Sequence, residues 1–306
     1  MVRWIILAVV QIMPDVTSNK LDTRALSVHY LRAGSGQPLV LLHGWPEFSG
    51  VWRKNIPALA EHFDVIAPDL RKFGKTRLRD AKDETPTTPD VLAEDLADLL
   101  DGLGLKSGGI VSHDVGAYAA QAFARRWPER IAGLLFFDCP YPGIGGRWAE
   151  PGHLKEIWYQ SFHQKAFAAE LVGYNRDTCR IYFRHFLSHW AHDPHAFDED
   201  LEAWVDNFMQ PGNIQGGFDW YIGFNDIRIR SMTNPAPAVA SLDIPTRVLW
   251  GASDPVLKAE WSDRLPEFFA DIDVSVIPEA GHFVPYERPD VANAEITRFF
   301  RNVFGG

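Results

Sequence analysis

Cysteine is scarce in this sequence. Only Cys139 and Cys179 occur among its 306 residues. Two cysteines cannot build a disulfide framework, and they do not have the spacing of a zinc site. The sequence therefore gives no reason to expect a metal ion, and the shortage of cysteine favours a reducing, cytoplasmic compartment.

Basic side chains are also in short supply. Thirty Lys and Arg stand against forty Asp and Glu, which gives a formal charge of −10. Proteins that bind nucleic acid present clustered Lys and Arg to the phosphates. We therefore expect no nucleic-acid partner, whereas a small neutral or anionic substrate is compatible with this balance.

A long apolar run is missing at the N-terminus. The apolar stretch at residues 4–10 is far shorter than the ~20 residues that a membrane-spanning helix needs. An export signal would require a longer apolar run and a clear cleavage site with small residues. We therefore predict no membrane segment and assign residues 1–24 to an N-terminal extension. Met13 offers a second start, so whether residues 1–12 belong to the natural mature chain stays open.

Short apolar runs recur along the chain and are bounded by turn residues. Runs that are apolar on both faces are typical of strands in a sheet covered on both sides. Helical patterns with cap residues occupy 88–104 and 117–127. Alternation of this kind predicts an α/β fold with a mostly parallel sheet flanked by helices. The predicted strands are 27–31, 39–42, 64–70, 109–112, 131–137, 247–250 and 274–277.

The segment 140–242 has a different character. It contains no convincing buried strand, and its many aromatic residues recur at helical spacing. Strand and helix alternate again after it. We therefore interpret 140–242 as a helical lid domain inserted into a core formed by 25–139 and 243–306.

The segment 109–117 carries the sharpest chemical signal. An apolar strand runs into a tight turn with Asp114 at its centre and the small residues Ser112 and Gly116 on either side, and a helix then begins. This pattern is typical of a nucleophile elbow, in which a strained turn exposes one side chain at the end of the sheet. A carboxylate nucleophile suits displacement at an sp³ carbon. The alternative is that Asp114 merely caps the following helix.

Two later turns complete a candidate triad. Asp254 and His282 each follow an apolar strand, and the order nucleophile, acid, histidine is that of hydrolases with this elbow. We expect Asp254 to orient His282 and His282 to activate water. Asp138, at the end of the 131–137 strand, is the alternative acid.

A third turn supplies candidate hydrogen-bond donors. Residues 43–47 follow the 39–42 strand, and a glycine turn there would aim the backbone N–H of Trp45 at the nucleophile. Together with the N–H of Val115 it would form an oxyanion hole. The alternative is an ordinary turn in which Trp45 only packs.

From about residue 25 to 300, the chain resembles the epoxide hydrolases of the α/β-hydrolase fold, particularly bacterial enzymes with a helical lid. The matching motifs are His-Gly-Trp-Pro-Glu at 43–47, Ser-His-Asp-Val-Gly at 112–116, Gly-Ala-Ser-Asp-Pro at 251–255 and Gly-His-Phe at 281–283. Segments 158–164 and 213–221 resemble those that carry the two lid tyrosines of the family. The resemblance implies that Tyr159 and Tyr221 hydrogen-bond the epoxide oxygen and supply its proton. Lys72 stands where the family usually has glycine, which affects the local backbone rather than the chemistry.

The activity implied by this resemblance is conversion of an epoxide and water to a vicinal diol without a cofactor. A haloalkane or haloacid dehalogenase is the alternative on the same fold. Haloalkane dehalogenases typically carry Trp directly after the nucleophile, and fluoroacetate dehalogenases carry Arg, whereas this chain has Val115. A binding protein with a relic triad should lack a catalytic part, and none is missing.

The aromatic lid predicts an apolar epoxide as substrate. Which epoxide, its stereochemistry and assembly as a homodimer stay open.

Overall fold

The computed structural model of the protein describes residues 15–233 and 239–305. Within them, nine strands form one sheet with the order β1-β2-β4-β3-β6-β7-β8-β9, and β5 pairs with β2. β1, β2, β4 and β5 pair antiparallel with β2 at the centre, and the ladders from β4 through β3 to β9 are parallel. The predicted α/β-hydrolase architecture is confirmed. The strands are β1 Thr17–Asp22, β2 Leu26–Gly34, β3 Pro38–Leu42, β4 Asp64–Pro68, β5 Arg77–Leu78, β6 Gly108–His113, β7 Ile131–Phe137, β8 Thr246–Gly251 and β9 Ile272–Ile277.

Helices cover the sheet and fill the segment between β7 and β8. Short 3₁₀ turns, such as those at Ser49–Lys54 and Pro142–Ala149, lie between several elements. The α-helices are α1 Ile56–Leu59, α2 Pro89–Gly102, α3 Val115–Arg126, α4 Trp158–Phe162, α5 Ala168–Val172, α6 Arg176–His189, α7 Leu201–Phe208, α8 Asn213–Gly223, α9 Asn225–Thr233, α10 Val284–Glu287 and α11 Pro289–Gly305.

The central strands lie beneath the predicted site residues. Every residue of β6 and β8 is buried, as is all of β7 except Ala132. Their sequences are apolar on both faces because helices pack on both sides. Since the parallel strands all end at the same edge of the sheet, the residues that follow β3, β6 and β8 are brought together there.

The two ends of the sheet differ from the prediction. Thr17–Asp22 lies inside the predicted extension 1–24, yet it pairs along its whole length with β2. This polar edge strand has no buried face to produce an apolar pattern. β9 is only partly buried, with Val276 48% exposed, because it lies at the opposite edge. The predicted extension 1–12 lies outside the described residues.

The turn after β4, which contains Lys72, contacts the segment between β7 and β8. Lys72 has φ 65°, the left-handed conformation that glycine favours. Its Nζ atom lies 2.7 Å from Oδ2 of Asp219 on α8. Among the described residues, no helix is long and apolar enough to cross a bilayer.

Candidate active site

Asp114 lies on the strained turn between β6 and α3. Its φ of 46° and ψ of −111° lie outside the regions that most L-residues adopt. Gly116 permits this turn, because a Cβ atom there would lie 2.6 Å from the carbonyl oxygen of Leu42. The Asp114 side chain makes no capping hydrogen bond to α3, so helix capping does not explain the residue.

His282 and Asp254 lie beside this carboxylate. The Nδ1 atom of His282 donates to Oδ2 of Asp254 over 2.7 Å, and its Nε2 atom lies 3.9 Å from Oδ2 of Asp114. The backbone N–H groups of Val256 and Leu257 donate to Oδ1 of Asp254 and fix that carboxylate. The Nε2 atom is buried and has no hydrogen-bond partner. Asp254 therefore holds the His282 ring at Nδ1, and the Nε2 atom of the ring faces Asp114.

The electrostatic surroundings favour the protonated form of His282. Burial opposes the charge, but the negative charge and hydrogen bond of Asp254, followed by the charges of Asp114 and Asp138, outweigh it and raise the pKa of His282 to about 10. An imidazolium is therefore paired with the free carboxylates. When Asp114 loses its charge, one of the contributions that raises this pKa disappears.

Asp138, the alternative acid, is close but differently bonded. Its Oδ1 atom accepts from the N–H of Gly251 at 2.8 Å, and its buried Oδ2 atom has no partner. Burial, followed by the charge of Asp254, raises the pKa of Asp138 well above its usual range. Of the two carboxylates, Asp254 is the one that forms a hydrogen bond with His282.

The turn after β3 reaches the same carboxylate. The backbone N–H of Trp45 donates to Oδ1 of Asp114 over 3.0 Å. Gly44 allows this approach, because a Cβ atom there would lie 2.6 Å from Cβ of Asp114. Val115 directly follows Asp114 as the first residue of α3. The Trp45 ring packs as well, but the contact of its N–H with Asp114 shows that packing is not its whole role.

The two predicted tyrosines come together above Asp114. Tyr159 on α4 stacks on the Trp45 ring, with centroids 5.1 Å apart and an interplanar angle of 6°. Tyr221 on α8 meets Tyr159 edge to face at 5.4 Å. Both rings line one cavity with Asp114. Burial raises the pKa of both phenols, and the nearby Asp114 charge raises it further, so both hydroxyls keep their protons at neutral pH.

Half of the residues that line this cavity are aromatic. Its other aromatic lining residues are Tyr118, Trp148, Trp220 and Phe224, and its polar ones include Gln160, Arg228 and Ser231. Arg228 was not predicted, because one arginine among the mostly polar residues of α9 gives no local signal. In residues 15–233 and 239–305, no cluster of three or more His, Cys, Asp or Glu side chains could hold a metal ion.

A buried pair behind the site was also not predicted. Oε2 of Glu47 accepts hydrogen bonds from the N–H of Gly44 at 2.6 Å and from Nδ1 of His113 at 2.9 Å. Nε2 of His113 donates to the carbonyl oxygen of His282 over 2.7 Å. Burial works against the Glu47 charge, but His113 outweighs it and lowers the pKa of Glu47. The pair joins the turn that carries Trp45 to the backbone of His282.

Comparison with known proteins shows which sequences the chain is similar to. The sequence pattern of the α/β hydrolase fold matches residues 37–289. The chain is 33% identical to the soluble epoxide hydrolase of Corynebacterium sp. (strain C12), over 94% of this chain and 98% of that protein. It is 27% identical to epoxide hydrolase 4 of Homo sapiens, over 92% of this chain and 78% of that protein.

Solved structures give the same result. The ligand-free structure of epoxide hydrolase CorEH superposes with a TM-score of 0.81 at 30% identity, covering 94% of this chain and all of that chain. An epoxide hydrolase from Bacillus megaterium, solved with its naphthyloxy-propanediol product, has a TM-score of 0.79 at 25% identity, covering 92% of this chain and all of that chain.

Proposed function

The chain belongs to the α/β-hydrolase family and, within it, to the epoxide hydrolases, and from this membership we propose how its residues divide the reaction. The protein converts an epoxide and water to a vicinal diol through a covalent aspartyl ester. Asp114 is the nucleophile, Tyr159 and Tyr221 are the proton donors, and Asp254 and His282 form the water-activating pair. The observation that carries the proposal is the meeting of the Asp114 carboxylate and both tyrosine rings at one cavity.

The first half-reaction opens the ring. The Tyr159 and Tyr221 hydroxyls donate hydrogen bonds to the epoxide oxygen while Oδ2 of Asp114 attacks a ring carbon. Oδ1 is engaged by the Trp45 N–H at 3.0 Å, which supports Oδ2 as the attacking atom. The new O–C bond forms as the ring C–O bond breaks, and the electron pair goes to the epoxide oxygen, which takes a tyrosine proton. Acid assistance matters because an alkoxide is a poor leaving group.

The second half-reaction hydrolyses the ester. Conversion of Asp114 to a neutral ester removes one of the charges that raise the pKa of His282, so the imidazolium gives up its Nε2 proton more readily, and the tyrosinate left by ring opening takes it. A water loses its proton to Nε2 of His282 and attacks Cγ of Asp114. The Trp45 and Val115 N–H groups stabilise the oxyanion on Oδ1. The Cγ–Oδ2 bond then breaks, Oδ2 takes a proton from His282, the diol leaves, and the new Asp114 carboxyl group gives its proton to His282.

The helical segment between β7 and β8 shapes the substrate. We assign 140–242 to a lid, because α4 and α8 within it carry Tyr159 and Tyr221. The aromatic lining favours a substrate whose body is apolar, with a few polar groups that fix its orientation. A cytoplasmic location and assembly as a homodimer stay predictions.

A single-turnover experiment in water labelled with heavy oxygen tests the mechanism. With enzyme in excess over styrene oxide, the first diol should carry unlabelled oxygen from Asp114, and the label should enter the Asp114 carboxylate instead. Direct attack of water would put the label into the diol at once and would contradict a covalent ester. Halide release from haloalkanes and haloacetates, assayed in parallel, should be absent. Robust halide release without diol formation would establish the dehalogenase alternative.

A further inference from the structure

Arg228 is a cation in the wall of the catalytic cavity. It lies on α9 and lines the same cavity as Asp114, Tyr159 and Tyr221. Its Nη1 atom donates to Oε1 of Gln160, and its Nη2 atom donates to Oδ1 of Asn225, each over 3.0 Å. Both partners are neutral amides. A guanidinium has five N–H donors, so these two hydrogen bonds use only part of its capacity to donate.

Arg228 is half-buried, and the two fully buried arginines among the described residues are compensated differently. Arg71 pairs with Asp83 and Asp95, and Arg247 pairs with Glu295. In the part of the chain that the structure describes, no carboxylate forms an ion pair with Arg228. Its Nε atom is buried and makes no hydrogen bond. Because burying a charge without a counter-ion is costly, this pattern points to an anion that arrives with the substrate.

We propose that Arg228 binds a carboxylate carried by the substrate close to its epoxide ring, so that an epoxide with an acid group near the ring is preferred to its neutral counterpart. This inference rests on the proposed function, because it assumes that the cavity binds epoxides. A carboxylate suits the site because its two oxygens match two parallel N–H donors of a guanidinium.

The contacts around Arg228 limit the distance between the substrate carboxylate and the epoxide ring. The Gln160 side chain accepts from Arg228 and donates from Nε2 to the Tyr159 hydroxyl over 3.4 Å. One amide group therefore separates the cation from the hydroxyl assigned to the epoxide oxygen. A substrate that contacts both must carry its carboxylate only a few bonds from the ring, as 3,4-epoxybutanoate does.

The test compares this acid with its methyl ester in the intact protein. The ester keeps the epoxide and the carbon chain but lacks the charge. We expect wild-type protein to favour the acid in kcat/KM by about tenfold to a hundredfold, the range of charge-assisted hydrogen bonds, mainly through KM. Arg228→Gln should bring the acid-to-ester ratio close to one, and Arg228→Lys should keep part of the preference.

Arg230→Gln is the matched control, since Arg230 is an exposed arginine two residues further along α9. It should leave the ratio unchanged, and thermal unfolding of each variant checks the fold. A wild-type ratio of one or below, with the ester turned over, would overturn the inference and leave the proposed function standing. So would an Arg228→Gln variant that loses acid and ester turnover equally, because this would assign Arg228 to positioning Gln160 and Tyr159. Failure to hydrolyse acid, ester and styrene oxide alike would instead remove the proposed function and the inference with it.

Discussion

The edge of the sheet and the helical lid hold their functional groups by different physical means. At the edge, backbone amides fix each carboxylate: Trp45 N–H binds Asp114, and the N–H groups of Val256 and Leu257 bind Asp254. In the lid, rings pack against rings. Tyr159 contacts the rings of Trp45, Phe186, Trp190 and Tyr221 at centroid distances between 5.1 and 5.4 Å.

This difference follows from what each group must do. Charged groups need dipoles that hold their position while the charge changes, and backbone N–H groups on strand ends supply them. A phenol that stays protonated needs only a fixed orientation, and tight aromatic packing provides it. We therefore expect substitutions at the sheet edge to stop one chemical step outright, whereas substitutions in the lid should lower the rate by degrees.

His282→Gln should produce the largest effect. The variant keeps the Asp114 nucleophile and both tyrosines, so it should still open the epoxide, but hydrolysis of the ester should stall. We expect steady-state turnover to fall by about 10⁴-fold or more, as in other triads that lose their base. Intact-protein mass spectrometry should show a gain of one substrate mass on the peptide that contains Asp114.

Asp114→Ala is the matched control and should form no adduct. An adduct mapped to Asp138 or Asp254 would contradict the assigned nucleophile. Turnover of His282→Gln at the wild-type rate would contradict the role of His282, and it would also end the distinction drawn between the sheet edge and the lid.

The lid tyrosines should show graded losses. Tyr159→Phe or Tyr221→Phe removes one hydroxyl and leaves the ring packing in place, and loss of one such donor typically lowers the rate by ~10²–10³. The double variant should lose far more than either single one. Tyr182→Phe is a suitable control, because the Tyr182 hydroxyl contacts His163 in the lid and is not among the residues that line the cavity. Full rates for both single variants at saturating epoxide would remove these two residues from the mechanism.

The same contrast explains how much could be predicted from the sequence. Asp114, Asp254 and His282 each follow a strand of the sheet, and the parallel ladders bring such positions together, so pattern alone sufficed to nominate them. Tyr159 and Tyr221 came only from the resemblance to a family, because an aromatic lid offers many tyrosines and periodicity does not separate them.

Other features lay beyond sequence reasoning for physical reasons. The bond between Glu47 and His113 joins residues 66 positions apart, and nothing local marks either as a partner of the other. The two neutral amide partners of Arg228 at the cavity wall are visible only in the packed structure. The strand at Thr17–Asp22 was not predicted, because both of its faces are largely polar or exposed.

The smallest predicted effect concerns stability against pH. The pKa of His282 is raised from 6.5 to about 10 in the folded protein, with burial opposed and outweighed by Asp254, Asp114 and Asp138. A raised pKa means that the folded state binds this proton more tightly than the unfolded state. The resulting stability is fully present below pH 6.5 and is lost as the pH rises through about 10.

The unfolding free energy of wild type minus that of His282→Gln should therefore decrease across this window in denaturant titrations. In an Asp254→Asn background the decrease should shift to lower pH, because the largest charge that holds the proton is gone. In a Tyr159→Phe background it should stay in place, since a neutral phenol adds no charge there. A difference that stays constant between pH 6.5 and 10 would contradict a charged His282 at the sheet edge.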